Sequence, residues 1–295
     1  MITISVIIRV KNEEKAIGKL IEQILCQKIG EEYEILVIDD CSTDNTRSIV
    51  ARYPVRLIKL KPKQFTFGYA LNLGGYTSKG NILVNVSADC IPANDRWLKI
   101  LTRPLINYNA IATYGRQIPN YGANPFEEQT LESWYPPYSS YNKLDLPRKA
   151  FSNANCAIQK KVWIHYPFNE DIVSMEDWLW YEQVKNLGQV EYMPDAPVYH
   201  SHPVSRLGRL YRRVYRDGIA TIYLRKFYNI DVRVRRKTDS SIMKMTKSAI
   251  YYILWTYLFL MRRGYYKALI LFPFYQIIHD IAYYKGIQEG KRLYL

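Results

Sequence analysis

The sequence lacks paired cysteines, a glycine-rich phosphate turn and an apolar run of membrane length, and its last third has few acidic residues. Its four cysteines, Cys26, Cys41, Cys90 and Cys156, stand apart with no C-x-x-C pair, which excludes a zinc knuckle or disulfide scaffold and fits a reducing compartment. The turn after the first β-branched run reads Arg9-Val10-Lys11-Asn12-Glu13-Glu14 without a glycine, so neither a nicotinamide-type G-x-G-x-x-G nor a P-loop is available there. Late in the chain two apolar runs are free of charge, Ser248 to Met261, 14 residues, and Ala268 to His279, broken by Pro273. Both fall short of the roughly 18–20 apolar residues that span a bilayer. The opening Ile2-Thr3-Ile4-Ser5-Val6-Ile7-Ile8 has no basic segment before it and is closed early by Arg9 and Lys11, which predicts no cleavable leader and a cytoplasmic location.

What is present is enough for a core: 295 residues, 48% hydrophobic, the size of one catalytic domain with an appendage. The net charge of +14 would ordinarily suggest nucleic acid or an anionic surface. It is unevenly spread. Residues 1–202 hold 22 Lys+Arg and 22 Asp+Glu, whereas residues 203–295 hold 19 and 5. A neutral body carries a basic tail.

The first hundred residues alternate strand and helix signals, the pattern of a parallel α/β sheet. Ile2 to Arg9 reads as a strand covered on both faces, Asn12 as the cap of a helix carrying Ala16, Leu20, Ile24 and Leu25, and Tyr33 to Ile38 as a second strand ending in Asp39-Asp40. Val55 to Lys61 and Asn81 to Val86 are further strands, Tyr69 to Ser78 is a helix, and Asn94 or Asp95 caps another helix through Ile106. From Ile111 to about Ser152 the regularity fails in a stretch rich in Tyr, Pro and Asn, a loop of the kind that grips ligands. Glu176-Asp177-Trp178 opens a helix, and Val190 to Met193 and Val198 to His202 read as two short strands.

Open α/β sheets bind ligands at the carboxyl ends of their strands, and here those ends are acidic: Asp39, Asp40 and Asp89. Carboxylates so placed can accept hydrogen bonds from a base and ribose or hold a divalent cation against a diphosphate. Asp40 and Asp44 could equally cap a helix, and for Asp44 capping is the expected role. Trp134, Tyr135, Tyr138 and Trp178 could stack on sugar rings or simply pack in a core.

Ile4-Ser5-Val6-Ile7-Ile8, Asn12-Glu13-Glu14 and Ile38-Asp39-Asp40-Cys41-Ser42-Thr43-Asp44-Asn45-Thr46 resemble the nucleotide-binding half of a family 2 glycosyltransferase of GT-A fold. Tyr114-Gly115-Arg116-Gln117-Ile118-Pro119, Ser152-Asn153-Ala154-Asn155, Phe168-Asn169-Glu170, Glu176-Asp177-Trp178 and Tyr199-His200-Ser201-His202 look like its bacterial rhamnosyltransferase branch. The resemblance implies an α/β GT-A catalytic domain over 1–202, with a nucleotide-sugar-binding half at 1–110 and an acceptor half at 111–202, followed by a basic, aromatic, helical, membrane-associating extension at 203–295. It also implies inverting, metal-assisted sugar transfer, with L-rhamnose from dTDP-L-rhamnose expected as donor. A UDP-hexose donor is the alternative. The acceptor would be a hydroxyl of a polyprenyl-lipid-linked cell-surface glycan.

Carried over by position, the resemblance places donor binding at Arg9, Lys11, Asn12, Glu13, Asp39, Asp40, Ser87, Ala88 and Asp89, with Asp39 facing the base. Asp177 would be the catalytic base, supported by Glu176. Asp89 would hold Mn²⁺ or Mg²⁺ with His200, although Ser87 stands where the family's metal-binding D-x-D has its first carboxylate. That substitution leaves open a catalytically silent relative. His202 lies on the same side of an extended segment as His200, and either could be the ligand. Arg116, Gln117, Asn155, Trp178 and His202 would meet the acceptor or sugar.

The tail interleaves Arg206, Arg209, Tyr211, Arg212, Arg213, Tyr215 and Arg216, then Arg225-Lys226-Phe227-Tyr228 and Arg233, Arg235, Arg236 and Lys237. Such interleaving suits single-stranded nucleic acid or a membrane interface, and the two apolar runs favour the membrane. The expectation is a peripheral protein of the inner face of the cell membrane with no nucleic-acid partner. A nucleic-acid-binding protein with a basic tail remains the alternative of another class.

Overall fold

The computed structural model describes residues 3–138, 151–200, 207–231 and 242–295; His202, Arg206 and the Arg233 to Lys237 run fall outside them. The strands are β1 (Ile4–Val10), β2 (Tyr33–Asp39), β3 (Arg56–Lys59), β4 (Ile82–Ser87), β5 (Cys90–Pro92), β6 (Ala112–Ile118), β7 (Asn155–Gln159) and β8 (Val190–His200). The helices are α1 (Ile17–Leu25), α2 (Thr46–Val50), α3 (Phe67–Thr77), α4 (Trp97–Ile106), α5 (Pro125–Trp134), α6 (Lys160–His165), α7 (Glu176–Val184), α8 (Leu207–Tyr228), α9 (Ile242–Arg262) and α10 (Tyr266–Tyr294).

Alternation along β1 builds two cores. Ile4, Val6, Ile8 and Val10 enter one with Ile17, Leu20 and Ile24 of α1 and Leu98 and Leu101 of α4. Ile7 points the other way, into a core with Leu71 of α3, Trp163 of α6 and Trp180 of α7. A strand buried on both faces has no polar alternation to show, so β1 reads as a continuous apolar run.

One mixed sheet of eight strands has the order β3-β2-β1-β4-β7-β6-β8-β5. The β1, β2, β3 and β4 ladders are parallel, with Val10 opposite Asp39 and Arg9 opposite Ser87. β7 runs antiparallel to both β4 and β6, and β8 runs parallel to β6. β5 pairs antiparallel with β8 at the last position of this order, yet it follows β4 after only Ala88 and Asp89. The sheet therefore curls, and its far edge returns to the carboxyl end of β4.

Several sequence expectations change here. The stretch after Ile111 is not irregular throughout, because it contains β6 and α5. β6 is hard to read because its polar residues are satisfied one by one: the Thr113 hydroxyl donates to Leu101 O at 2.6 Å, and Gln117 holds His200 Nδ1 at 2.6 Å. The two short strands expected after Val190 are one strand, β8, which carries Pro194 and Pro197. Its register with β6 shifts between Gly115 and Gln117, and such irregularities are where a strand accommodates residues that cannot donate to the ladder. Asn12 does not cap α1, whose N-cap is Ala16. It adopts φ 53°, and its carboxamide oxygen accepts Thr43 N–H at 2.7 Å. Pro273 lies inside α10 and does not end it.

The chain divides into two compact units, one of residues 1–121, 131–172 and 176–202 and one of residues 122–130, 173–175 and 203–295. In the second, α8 and α10 touch backbone to backbone: a Cβ on Gly286 would lie 2.1 Å from Tyr215 O, and one on Gly218 would lie 2.5 Å from Tyr283 O. α9 and α10 close on Leu260, Ala268 and Phe272, against Phe126 at the start of α5. Among the described residues no helix is long and apolar enough to cross a membrane.

Gly115 is where the curl of the sheet is most sensitive to side-chain volume, since a Cβ there would stand 2.3 Å from both Ala196 O and Asn155 Nδ2. Gly115→Ala is expected to cost about 1–3 kcal/mol, read as a lower urea midpoint at unchanged slope; an unaltered midpoint would show that β6 and β8 separate freely.

Candidate active site

Parallel pairing of β2, β1 and β4 brings three carboxyl ends side by side, and the expected donor residues gather there. Asp39, fully buried, accepts Ser42 N–H on both carboxylate oxygens at 3.3 and 3.2 Å. Asp40 is ion-paired to Lys11 Nζ at 2.7 Å. Asn12 and Glu13 clamp the β2–α2 loop: Asn12 N–H donates to Ser42 Oγ at 2.9 Å and Glu13 N–H to Thr46 Oγ1 at 2.8 Å. Cys41 in the same loop has φ 50°, a left-handed conformation that costs a non-glycine residue about 1 kcal/mol and gathers at functional sites. Asp44 accepts N–H groups from Thr46 at 3.0 Å and Glu14 at 3.2 Å, tying the start of α2 to the β1–α1 loop; the N-cap of α2 is Asn45, one residue after the cap expected at Asp44.

At the end of β4, Ser87 and Asp89 are partly exposed and Ala88 is buried between them. In the β5–β8 ladder Cys90 lies directly opposite His200. That register sets His200 Nε2 3.6 Å from Asp89 Oδ2. Gln117 Oε1, which can only accept, sits 2.6 Å from His200 Nδ1. The Nδ1 proton is thereby fixed, and a neutral ring turns its Nε2 lone pair toward the Asp89 carboxylate. Two lone-pair donors facing one another, with an outer carboxamide orienting the imidazole, are what a divalent cation requires, and the residues present fit one. Cys90 Sγ falls in the same cluster, but burial and the Asp89 charge push its thiol well up, so it remains protonated. The donor set is one oxygen and one nitrogen.

Arg9 links this end of β4 to α7. Its guanidinium lies over the Phe67 ring at 5.1 Å, donates from Nη2 to Ser87 Oγ at 3.5 Å, and carries Nη1 to 3.6 Å from Glu176 Oε1. Glu176 and Asp177 occupy the first turn of α7, where the helix dipole favours negative charge. Met175, just before them, has φ 66°. Trp178 N–H donates to Asp177 Oδ1 at 2.8 Å and Asn153 N–H to Oδ2 at 3.3 Å, while the Asn153 carboxamide reaches Glu176 Oε1 at 3.4 Å. Burial, and after it the neighbouring Glu176 charge, raise Asp177 to about 7 in spite of those N–H groups and Arg9. A carboxylate poised near neutrality can take a proton from a hydroxyl.

The structure separates other expected residues from this group. Asn155 is enclosed: its oxygen accepts Trp97 Nε1–H at 2.9 Å, and its nitrogen donates to Arg116 O at 3.1 Å and Ala196 O at 3.0 Å. Gln117 is buried behind His200. Arg116 donates from Nε to Tyr135 O at 3.3 Å. Tyr135 belongs to the core, Trp134 is partly buried and Tyr138 is exposed, whereas Trp178, also partly buried, stays beside Asp177. Asn153, Asn85, whose Nδ2 donates to Asn153 Oδ1 at 3.4 Å, and Phe67 were missed by the sequence reading. Asn153 sits within a quoted motif, but nothing local distinguishes an amide that serves two carboxylates 23 and 24 residues further on.

Residues 5–165 match the family model described as glycosyl transferase family 2. The O-antigen chain rhamnosyltransferase WbaN of Salmonella anatum is 25% identical over 178 residues, 57% of this chain and 56% of that protein, so the alignment spans just over half of that relative. Among solved structures, the mannosyltransferase PcManGT from Pyrobaculum calidifontis, in complex with GDP-Man and Mn²⁺, superposes with a TM-score of 0.61 at 16% identity, over 99% of this chain and 87% of that one. TarS 1–349 of S. aureus in complex with UDP-GlcNAc gives 0.57 at 16% identity, over 99% and 92%.

Because Asp177 is raised above the ordinary carboxylate range, the folded state holds its proton more tightly than the unfolded chain. Its contribution to stability is complete below about pH 4 and lost as the pH rises through about 7. Asp177→Asn is therefore expected to stabilise the fold at pH 8, by up to about 4 kcal/mol, and hardly at all at pH 4; thermal melts at both pH values test the sign. Taken together, the family match across residues 5–165 and the curled mixed sheet show that the chain belongs to glycosyl transferase family 2, with a GT-A-like α/β fold.

Proposed function

We propose that this protein is an inverting glycosyltransferase that moves a sugar from a nucleoside-diphosphate donor to an acceptor hydroxyl. The observation that carries the reading is the joining of two chemistries at one end of one sheet. Asp39 and Asp40 follow β2, Asp89 follows β4, His200 ends β8, and Asp177, raised to about 7, follows Glu176, which Arg9 joins to Ser87.

In this reading the β1 and β2 ends hold the nucleoside through Lys11, Asn12, Glu13, Asp39 and Asp40, and Arg9 holds Glu176 in place. Asp89 and His200 would bind Mn²⁺ or Mg²⁺, which supplies positive charge to the departing diphosphate. Asp177 accepts the proton of the acceptor hydroxyl as its oxygen attacks the anomeric carbon on the face opposite the diphosphate. One displacement inverts that centre. With one carboxylate at Asp89 and a hydroxyl at Ser87, the site holds a metal weakly until donor phosphates complete it.

The likeness to WbaN supports L-rhamnose from dTDP-L-rhamnose as the donor, with a lipid-linked glycan as the acceptor. A UDP-hexose is the competing donor, because the fold is shared with a protein solved with UDP-GlcNAc. The cationic extension suits an anionic membrane surface at which a lipid-linked acceptor is met.

A thermal-shift series of dTDP-L-rhamnose and UDP-hexoses with Mn²⁺ is expected to single out the donor, since binding at 100 times Kd stabilises by about 2.7 kcal/mol. Asp177→Asn is expected to keep that shift and lose about 10²–10⁴ in kcat. In the wild type, kcat should fall as the pH drops below about 7, where Asp177 becomes protonated. Asp89→Asn should remove the metal-dependent part of donor binding; unaffected transfer in either variant would refute the assigned roles.

A further inference from the structure

α10 has two apolar faces, and its neighbours use only one. Ala268, Phe272, Ala282, Gly286 and Gly290 are buried. On another face Tyr266, Ile270, Phe274, Ile277, Ile281 and Tyr284 are each between 47% and 73% exposed. At 100° per residue these six fall within an arc of about 80°, and from first to last they run about 27 Å along the helix. Single exposed apolar side chains are ordinary, but an aligned row of them marks a binding surface. At the end of α9, Leu254, Leu258 and Met261 make a shorter exposed row of the same kind.

The charge around the row selects its partner. Lys267 and Lys285 are exposed and project from the same edge of it, 18 residues apart, and Arg262 and Arg263 stand just before α10. Across residues 242–295 there are eight Lys+Arg against two acids, Asp280 and Glu289. Glu289 is already bonded to Arg292 Nε at 2.9 Å, and Asp280 to Gln276 Nε2 at 2.8 Å. A second copy of the chain would bring the same cationic edge against itself, and single-stranded nucleic acid, which stacks on aromatic rings, would leave Ile270, Ile277 and Ile281 of the row without a partner. Anionic headgroups satisfy the lysines while the row enters the acyl boundary, and a helix unable to cross a bilayer can still lie in its interface.

We infer that α10 is a membrane-docking helix that lies in the surface of an anionic phospholipid bilayer, with Ile270, Phe274, Ile277 and Ile281 inserted and Lys267 and Lys285 on headgroups. This deepens the reading above, in which the acceptor is carried on a lipid, and rests on it for its purpose alone. The basic run of α8 is not required to insert.

The test is co-sedimentation of the full chain with vesicles of phosphatidylcholine alone or with about one third phosphatidylglycerol, at low salt and at about 0.5 M salt. Binding to the anionic vesicles that salt weakens is expected. Phe274→Glu with Ile277→Glu should abolish it at both salt concentrations. Lys267→Glu with Lys285→Glu should weaken it about tenfold or more at low salt. These side chains are exposed, so circular dichroism melts and hydrolysis of the donor in solution should match the wild type in both variants. No sedimentation with anionic vesicles, or equal sedimentation of the Phe274/Ile277 variant, overturns the inference. So does a dimer in solution that the same variant dissolves. Loss of donor hydrolysis in the unmodified chain with vesicle binding intact would instead count against the proposed activity.

Discussion

Five carboxylates brought to one end of one sheet set the constraint on which this structure depends. Asp39, Asp40, Asp89, Glu176 and Asp177 sit at strand ends or in the first turn of a helix, and each needs compensation when withdrawn from water. Asp39 obtains it from the Ser42 amide, Asp40 from Lys11, Glu176 from Arg9 and Asn153, and Asp177 from two backbone amides. Burial and the adjacent Glu176 charge lift Asp177 toward neutrality in spite of those amides. A site assembled from charge in this way trades stability for reactivity.

Arg9 is the joint between the two halves of that arrangement. Its guanidinium rests on Phe67 and reaches from Ser87 to Glu176. A carboxylate at position 87 would compete with Glu176 for this cation. The serine leaves Arg9 to reach α7 through Glu176, so the residue at position 87 bears on the pairing of α7 as well as on the charge at the end of β4.

The second unit follows a different logic. Close helix contact at Gly218 and Gly286 buries one side of α10, and the other side remains apolar and exposed. Residues 242–295 carry eight Lys+Arg against two acids, so part of the excess of +14 belongs to the same two helices as this row.

Much of the fold was legible from local sequence. β1, β2 and β4 are β-branched runs buried on both faces, and Asp39, Asp40 and Asp89 follow them directly, so position along the chain already places them at carboxyl ends. β6 was not legible, because its polar side chains are satisfied by partners outside the strand, Leu101 in α4 for Thr113 and His200 in β8 for Gln117. β8 was read as two strands because its prolines look like ends until the shifted register with β6 is known. The sequence by itself determined which residues carry charge, which strands are parallel and where the basic tail begins, since those follow from side-chain chemistry and short-range periodicity. Only the tertiary structure decided that Asp89 meets His200, that Asn155 is enclosed while Asn153 serves Asp177, and that Arg9 turns toward Glu176. Those facts depend on the curl of the sheet and the register of β5 on β8, which are fixed by pairing between strands far apart in the chain.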